Sequence, residues 1–313
     1  MSFDSILAKL QNERSAGSAI LIIIGIVLLA MVIGNVVAAI FMIFIGGIGI
    51  DDLGDINGAP MSSPSGWWAL LIGQGAASII TFILSGIFYW KVVEKKELSD
   101  LSFHVLPSQG LFALAILTQL CFLPLNGWLQ GINESMSLPE SLSGLESMMK
   151  SKEESLAEVT EYLTTFDSLG KMISGFIVIA IIAGIGEELI FRGLIQRKLY
   201  SLFKNPHLAI WVAAFIFSAI HMQFYGFIPR LMLGALFGYF YYWSGNIWVP
   251  IAAHIFNNGF AVVLYYFYHQ GTIGEEIVEM EEFPLPIVLG SLLLTAGLLW
   301  FLKQKSSVES SKN

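Results

Sequence analysis

Apolar residues run in long blocks along this chain and seldom alternate with polar ones. Eight blocks, near 18–45, 67–90, 110–130, 172–194, 208–224, 229–243, 247–268 and 285–302, approach the template for a membrane span. That template is about 20 mostly apolar residues across a ~30 Å hydrocarbon layer. The fifth and sixth blocks are short for it. The pattern predicts an all-α fold: a polytopic membrane helix bundle with about eight transmembrane helices. Residues 1–16 are too polar for a cleaved signal peptide, but Phe3, Ile6, Leu7 and Leu10 recur at helical spacing, so a short interfacial helix is expected there. Residues 17–303 then form a single transmembrane domain and 304–313 a polar tail. The segment 131–169 is the largest piece between spans. Its carboxylates, interleaved with leucines and methionines, suggest one or two amphipathic surface helices serving as connector or lid.

Composition agrees with a lipid environment. Hydrophobic residues make up 55% of the 313 and charged residues only 13%, against the roughly 25% charged of a soluble domain. A single cysteine, Cys121, rules out a disulfide framework and any multi-cysteine zinc module. The net charge of −8 comes mostly from two extramembrane acidic stretches. Nucleic acid is not an expected partner. Lys9, Arg14, Lys91, Lys95, Lys96, Arg197, Lys198, Lys204, Lys303, Lys305 and Lys312 share one side if the chain alternates across eight spans, and Lys150, Lys152, Lys171 and Arg230 fall on the other. Because cytoplasmic loops are enriched in Lys and Arg, both termini are expected in the cytoplasm, with the plasma membrane of a bacterium as the setting.

Ionisable groups at bilayer depth are costly and tend to face the bundle interior, where they have a task. Few occur here. The fourth block carries Glu187, Glu188 and Arg192, the fifth His221, and the seventh His254, Asn257 and Asn258. Neighbouring helical residues point about 100° apart, so Glu187 and Glu188 address different places. Glu188 and Arg192 have the four-residue spacing of a helical ion pair, which frees Glu187 to face elsewhere. Gly184, Gly186 and Gly193 allow close helix contact around these carboxylates. Measured from the basic end at ~1.5 Å per residue, Glu187, His254 and His221 lie at roughly 15, 12 and 21 Å, compatible with one layer. His104, His207 and His269 sit at loops or span ends, where an imidazole is unremarkable.

A carboxylate beside a neutral imidazole can hold and deprotonate water. A second imidazole with an amide NH₂ can donate to an oxyanion. Together they would hydrolyse a peptide bond. Glu187, His221 and His254 could equally be ligands of a divalent metal such as zinc, so a metal cofactor and none at all both stay open. No Asp lies within a span and no G-x-S-x-G turn is present, which removes paired-aspartate and nucleophilic-serine designs. A proton relay or transporter, and a catalytically silent membrane partner, also use such residues.

The sequences E-E-L-I-F-R at 187–192, F-S-A-I-H at 217–221 and H-I-F-N-N at 254–258 resemble the three signatures of the CPBP family, EExxxR, FxxxH and HxxxN/D. That family includes the CAAX prenyl endopeptidases and bacterial Abi proteins. The resemblance covers about 172–260. It implies Glu187 as the water-activating carboxylate with His221 as its partner, and His254 with Asn258 as oxyanion donors. Glu188, Arg192 and Phe217 complete the signatures in supporting positions. It implies a peptide or protein substrate in contact with membrane lipid, prenylated in eukaryotic members. Bacterial relatives are linked to peptide processing, self-immunity or partner regulation. A cavity opening toward the cytoplasm is expected beside the fourth span.

Overall fold

A computed structural model describes residues 14–54, 58–101, 106–278 and 283–310, and the expected interfacial helix at 1–16 falls almost wholly outside them. The described residues are helical with no strand. We number the principal helices α1 (Ala16–Phe44), α2 (Gly66–Val93) and α3 (Gln109–Glu134). Then come the surface helix α4 (Ser143–Thr164) and α5 (Leu169–Phe203). The last four are α6 (Pro206–Ala219), α7 (Phe227–Ser244), α8 (Trp248–His269) and α9 (Leu285–Ser310).

All eight predicted blocks are helical. Six of them, α1, α2, α3, α5, α8 and α9, are long and apolar enough to cross a bilayer. The two short blocks became α6 and α7, of 14 and 18 residues, which do not meet that standard. The described part of the polar tail expected at 304–313 is helical and continues α9 through Ser310.

Local chemistry sets the boundaries. Asn205 caps α6 by accepting from the Leu208 amide at 3.2 Å, with Pro206 in the first turn where its missing N–H costs nothing. Gly245 ends α7 in the left-handed conformation at φ 61°, open to glycine without a Cβ clash. Pro124 removes a donor from the middle of α3, and Ser291 of α9 reaches into the gap. Its hydroxyl accepts from the Leu125 amide at 3.1 Å and donates to the Cys121 carbonyl at 2.6 Å.

The bundle has two apolar halves. Buried residues of α1, α2, α5 and α6 form one cluster, including Trp90, Phe191 and Phe217. Those of α3, α7, α8 and α9 form the other, including Phe122, Phe237 and Phe240. Large side chains such as Leu29, Val32 and Phe44 on α1 and Leu293 and Trp300 on α9 are exposed. Such outward surface is stable against lipid and not against water. α5 and α8 meet at Gly184, where a Cβ would lie 2.9 Å from Ile255 Cγ1 and 3.3 Å from the Ile255 backbone nitrogen. A Cβ on Gly186 would stand 2.8 Å from Phe82 Cβ of α2. These glycines draw the two faces of the carboxylate turn against their neighbours, as the sequence predicts.

Candidate active site

The site occupies the join between the two apolar halves. In α5, the α-helical turn Ala183–Glu188 is flanked by wider π-helical stretches, Phe176–Ile182 and Leu189–Gln196. Such stretches recur at functional positions because they re-aim side chains. Glu188 is fully buried. Its Oε1 accepts from Arg192 Nη1 at 3.0 Å and meets His254 Nδ1 at 2.8 Å. Arg192 also donates from Nη2 to the Gly234 carbonyl at 2.7 Å. Its guanidinium lies 5.1 Å from the Phe217 ring and 5.7 Å from that of Phe237, one ring from each half of the core. The predicted ion pair is therefore present and has a second task, because Glu188 fixes the imidazole of His254. Phe237 stacks on that imidazole with centroids 5.0 Å apart.

With Nδ1 turned to a carboxylate, His254 presents Nε2 to the cavity, 3.7 Å from Glu187 Oε2. Glu187 and Glu188 thus bracket one imidazole from two directions. His221 lies in the turn just beyond α6 and not within a span. Its Nδ1 donates to the Phe217 carbonyl at 2.8 Å, so in the neutral ring Nε2 is an acceptor. No hydrogen bond or ion pair joins His221 directly to Glu187 among the described residues. Asn258 donates to the Ile179 carbonyl at 3.0 Å and accepts from Asn257 at 3.1 Å, and Asn257 accepts from Gln119 of α3 at 2.8 Å. A chain of amides therefore ties α3, α8 and α5 together, meeting α5 about two turns before Glu187.

Glu187, His221, His254, Asn258 and Phe217 all line one cavity of about 280 Å³. Its remaining lining includes Asn126, Gln130, Asn257 and Arg230. The reading of the sequence missed Arg230 by counting it only among the outer cations, whereas in the first turn of α7 it borders the cavity. The signal was available, since Arg230 is a lone charge between apolar residues. The lining runs from Glu187, mid-helix, to Gln130, Gly226 and Arg230 at the end of the bundle that carries α4. Lys198, Glu94 and Lys305 mark the opposite end, where Lys198 pairs with Glu94 at 2.7 Å. Two expectations therefore exclude each other: a cytoplasmic basic end and a cavity reaching toward the cytoplasm cannot both hold.

Among the described residues, no three His, Cys, Asp or Glu side chains converge closely enough to hold a metal ion. His221 and His254 each have Nδ1 engaged by the protein, which leaves Nε2 as the nitrogen of each ring not so engaged.

Fold and site together define a polytopic, all-helical membrane protein with paired carboxylates and imidazoles enclosed at mid-bundle. Comparison with known proteins narrows this class. Residues 170–260 match the family described as type II CAAX prenyl endopeptidase Rce1-like. The uncharacterized protein YpbD of Bacillus subtilis is 31% identical over 88 residues, covering 27% of this chain and 42% of that protein. The candidate membrane peptidase YdiL of the same organism is 30% identical over 118 residues, 38% of this chain and 46% of YdiL. The membrane-embedded CAAX protease MroQ of Staphylococcus aureus is 33% identical over 91 residues, 27% of this chain and 36% of MroQ. The chain thus spans less than half the length of each of these relatives. No solved structure matches it. The similarity to this CAAX-protease-type family is thus confined to the segment that carries the site.

Proposed function

We propose that the chain is an intramembrane endopeptidase that hydrolyses a peptide bond with a water activated by Glu187. The observation that carries this reading is the shared cavity, where a carboxylate, two imidazoles and a carboxamide border about 280 Å³ enclosed by an apolar bundle. The carboxylate of Glu187 takes a proton from water while the Nε2 acceptor of His221 holds the water's other hydrogen. The water oxygen bonds to the peptide carbonyl carbon and the carbonyl electron pair moves onto oxygen. That oxyanion takes a hydrogen bond from the second amide N–H of Asn258, and one from His254 Nε2 when that ring is protonated. Glu187 then returns the proton to the departing amine as the C–N bond breaks. Glu188 and Arg192 hold His254 in orientation throughout. The substrate is a peptide or protein entering from lipid or from the membrane surface. The protein resides in a bacterial plasma membrane with both termini cytoplasmic.

Purified protein incubated with a peptide library, with products read by mass spectrometry, tests the reading. Glu187→Gln is expected to lower cleavage by about 10² or more. Unchanged turnover refutes Glu187 as base. Proton flux in liposomes without any peptide product would make the protein a relay instead. Metal analysis with chelation during the same assay decides whether a divalent cation completes the site.

A further inference from the structure

We infer that Arg230 forms a carboxylate-binding subsite that seats the substrate beside Glu187. The inference rests on the endopeptidase reading for the word substrate and on geometry for the rest. Arg230 lines the same cavity as Glu187, His221 and His254. Its Nη2 donates to Gln223 Oε1 at 2.7 Å, while Nη1 is buried with no hydrogen-bond partner. No carboxylate lies within ion-pair distance of it among the described residues. Arg192, one helix away, has Glu188 at 3.0 Å. A guanidinium is always charged, and this one is partly buried at the mouth of the cavity, where Glu153 and Glu187 act on it from a distance and neither closes an ion pair with it.

The surroundings keep the group clear. Gly226 faces the guanidinium, and a Cβ there would stand 3.1 Å from Nη2 and 3.5 Å from Nη1. Gln223 holds Nη2 in place, and Nη1, buried beside Gly226, has no partner of its own. A fork of N–H donors, half satisfied and carrying a full charge, is complementary to a carboxylate. Two carboxylates are available on a peptide: its C-terminal α-carboxylate and an Asp or Glu side chain. The cavity, at about 280 Å³, admits only a short stretch of chain, so the bound carboxylate lies within a few residues of the bond presented to Glu187.

Fluorescence anisotropy on the purified full chain tests this with three labelled peptides of one apolar sequence. One ends in a free carboxylate, one in an amide, and one in an amide with a single internal Glu. Wild type is expected to bind one of the two acidic peptides about 10-fold or more tighter than the neutral amide, and which one identifies the source of the carboxylate. Arg230→Gln is expected to erase the preference and Arg230→Lys to keep part of it. Gly226→Ala, which crowds the guanidinium without removing its charge, is expected to weaken it, so the result does not depend on a single variant folding. Equal or absent binding of all three peptides by wild type, or a preference that survives in Arg230→Gln, overturns the inference. Cleavage read in the same samples separates the two ideas. Preference without products sinks the endopeptidase and keeps the subsite, whereas products without preference do the reverse.

Discussion

Glu188 shows how much one buried side chain can organise. It joins Arg192 four residues along its own helix to His254 sixty-six residues away, and neither it nor Arg192 is more than 1% exposed. Removing one partner of such a pair strands the other charge in low dielectric, at a cost of about 3–5 kcal/mol. Arg192→Met is therefore expected to lower the thermal midpoint in detergent sharply, and Glu188→Gln with Arg192→Met to recover part of the loss. If the double variant is no better than the single one, the pair is not the unit described. The ion pair itself was legible in sequence because i,i+4 spacing is a local rule. Its attachment to His254 was not, since no spacing relates α5 to α8. Arg230 was overlooked for a related reason: it stands at the outer end of the sixth block, where it was counted among the outer cations, and no spacing relates it to Glu187.

Among the elements, α4 is the one whose role the sequence left open between connector and lid. The structure ties it to the turn bearing His221. Tyr225 donates its amide to Glu153 at 3.1 Å and its hydroxyl to Glu146 at 3.2 Å, while Lys150 lies over its ring at 5.7 Å. A hydrogen bond from Lys150 holds the Glu146 carboxyl below the usual glutamate range, with help from the Leu138 amide and Tyr225 against the opposing effect of burial. A depressed carboxyl contributes at pH values above its unfolded pKa, about 4.3, and the contribution disappears as pH falls through the lower folded value. A spin label on Ser147→Cys, in a Cys121→Ser background, is expected to keep its mobility from neutral pH down to about 4.3 and to gain mobility only below it. Glu146→Gln together with Tyr225→Phe should mobilise the label at neutral pH. An immobile label in that double variant would mean that α4 is held by its apolar side alone.

For the whole molecule, the connectivity gathers Lys198, Lys305 and Glu94 at one end and α4 with the Gln130–Arg230 rim of the cavity at the other. The proposed orientation, resting on the enrichment of Lys and Arg in cytoplasmic loops, puts the first of these at the inner face. In cells lacking Cys121, an impermeant maleimide added from outside is expected to label Ser151→Cys and Thr272→Cys but not Lys303→Cys. The opposite pattern would turn the cavity toward the cytoplasm and overturn the proposed orientation.

The sequence by itself determined that the chain lives in lipid, which blocks become helices and which few polar residues need explanation, because hydropathy, helical period and the cost of buried charge act locally along the chain. The tertiary structure alone decided which imidazole stands next to Glu187, that Arg230 shares its cavity, and that the cavity extends toward α4 and away from the basic end. Those facts depend on how helices far apart in sequence cross, and crossing is set by glycine contacts such as Gly184 against Ile255. Such a contact leaves no periodic trace in the chain.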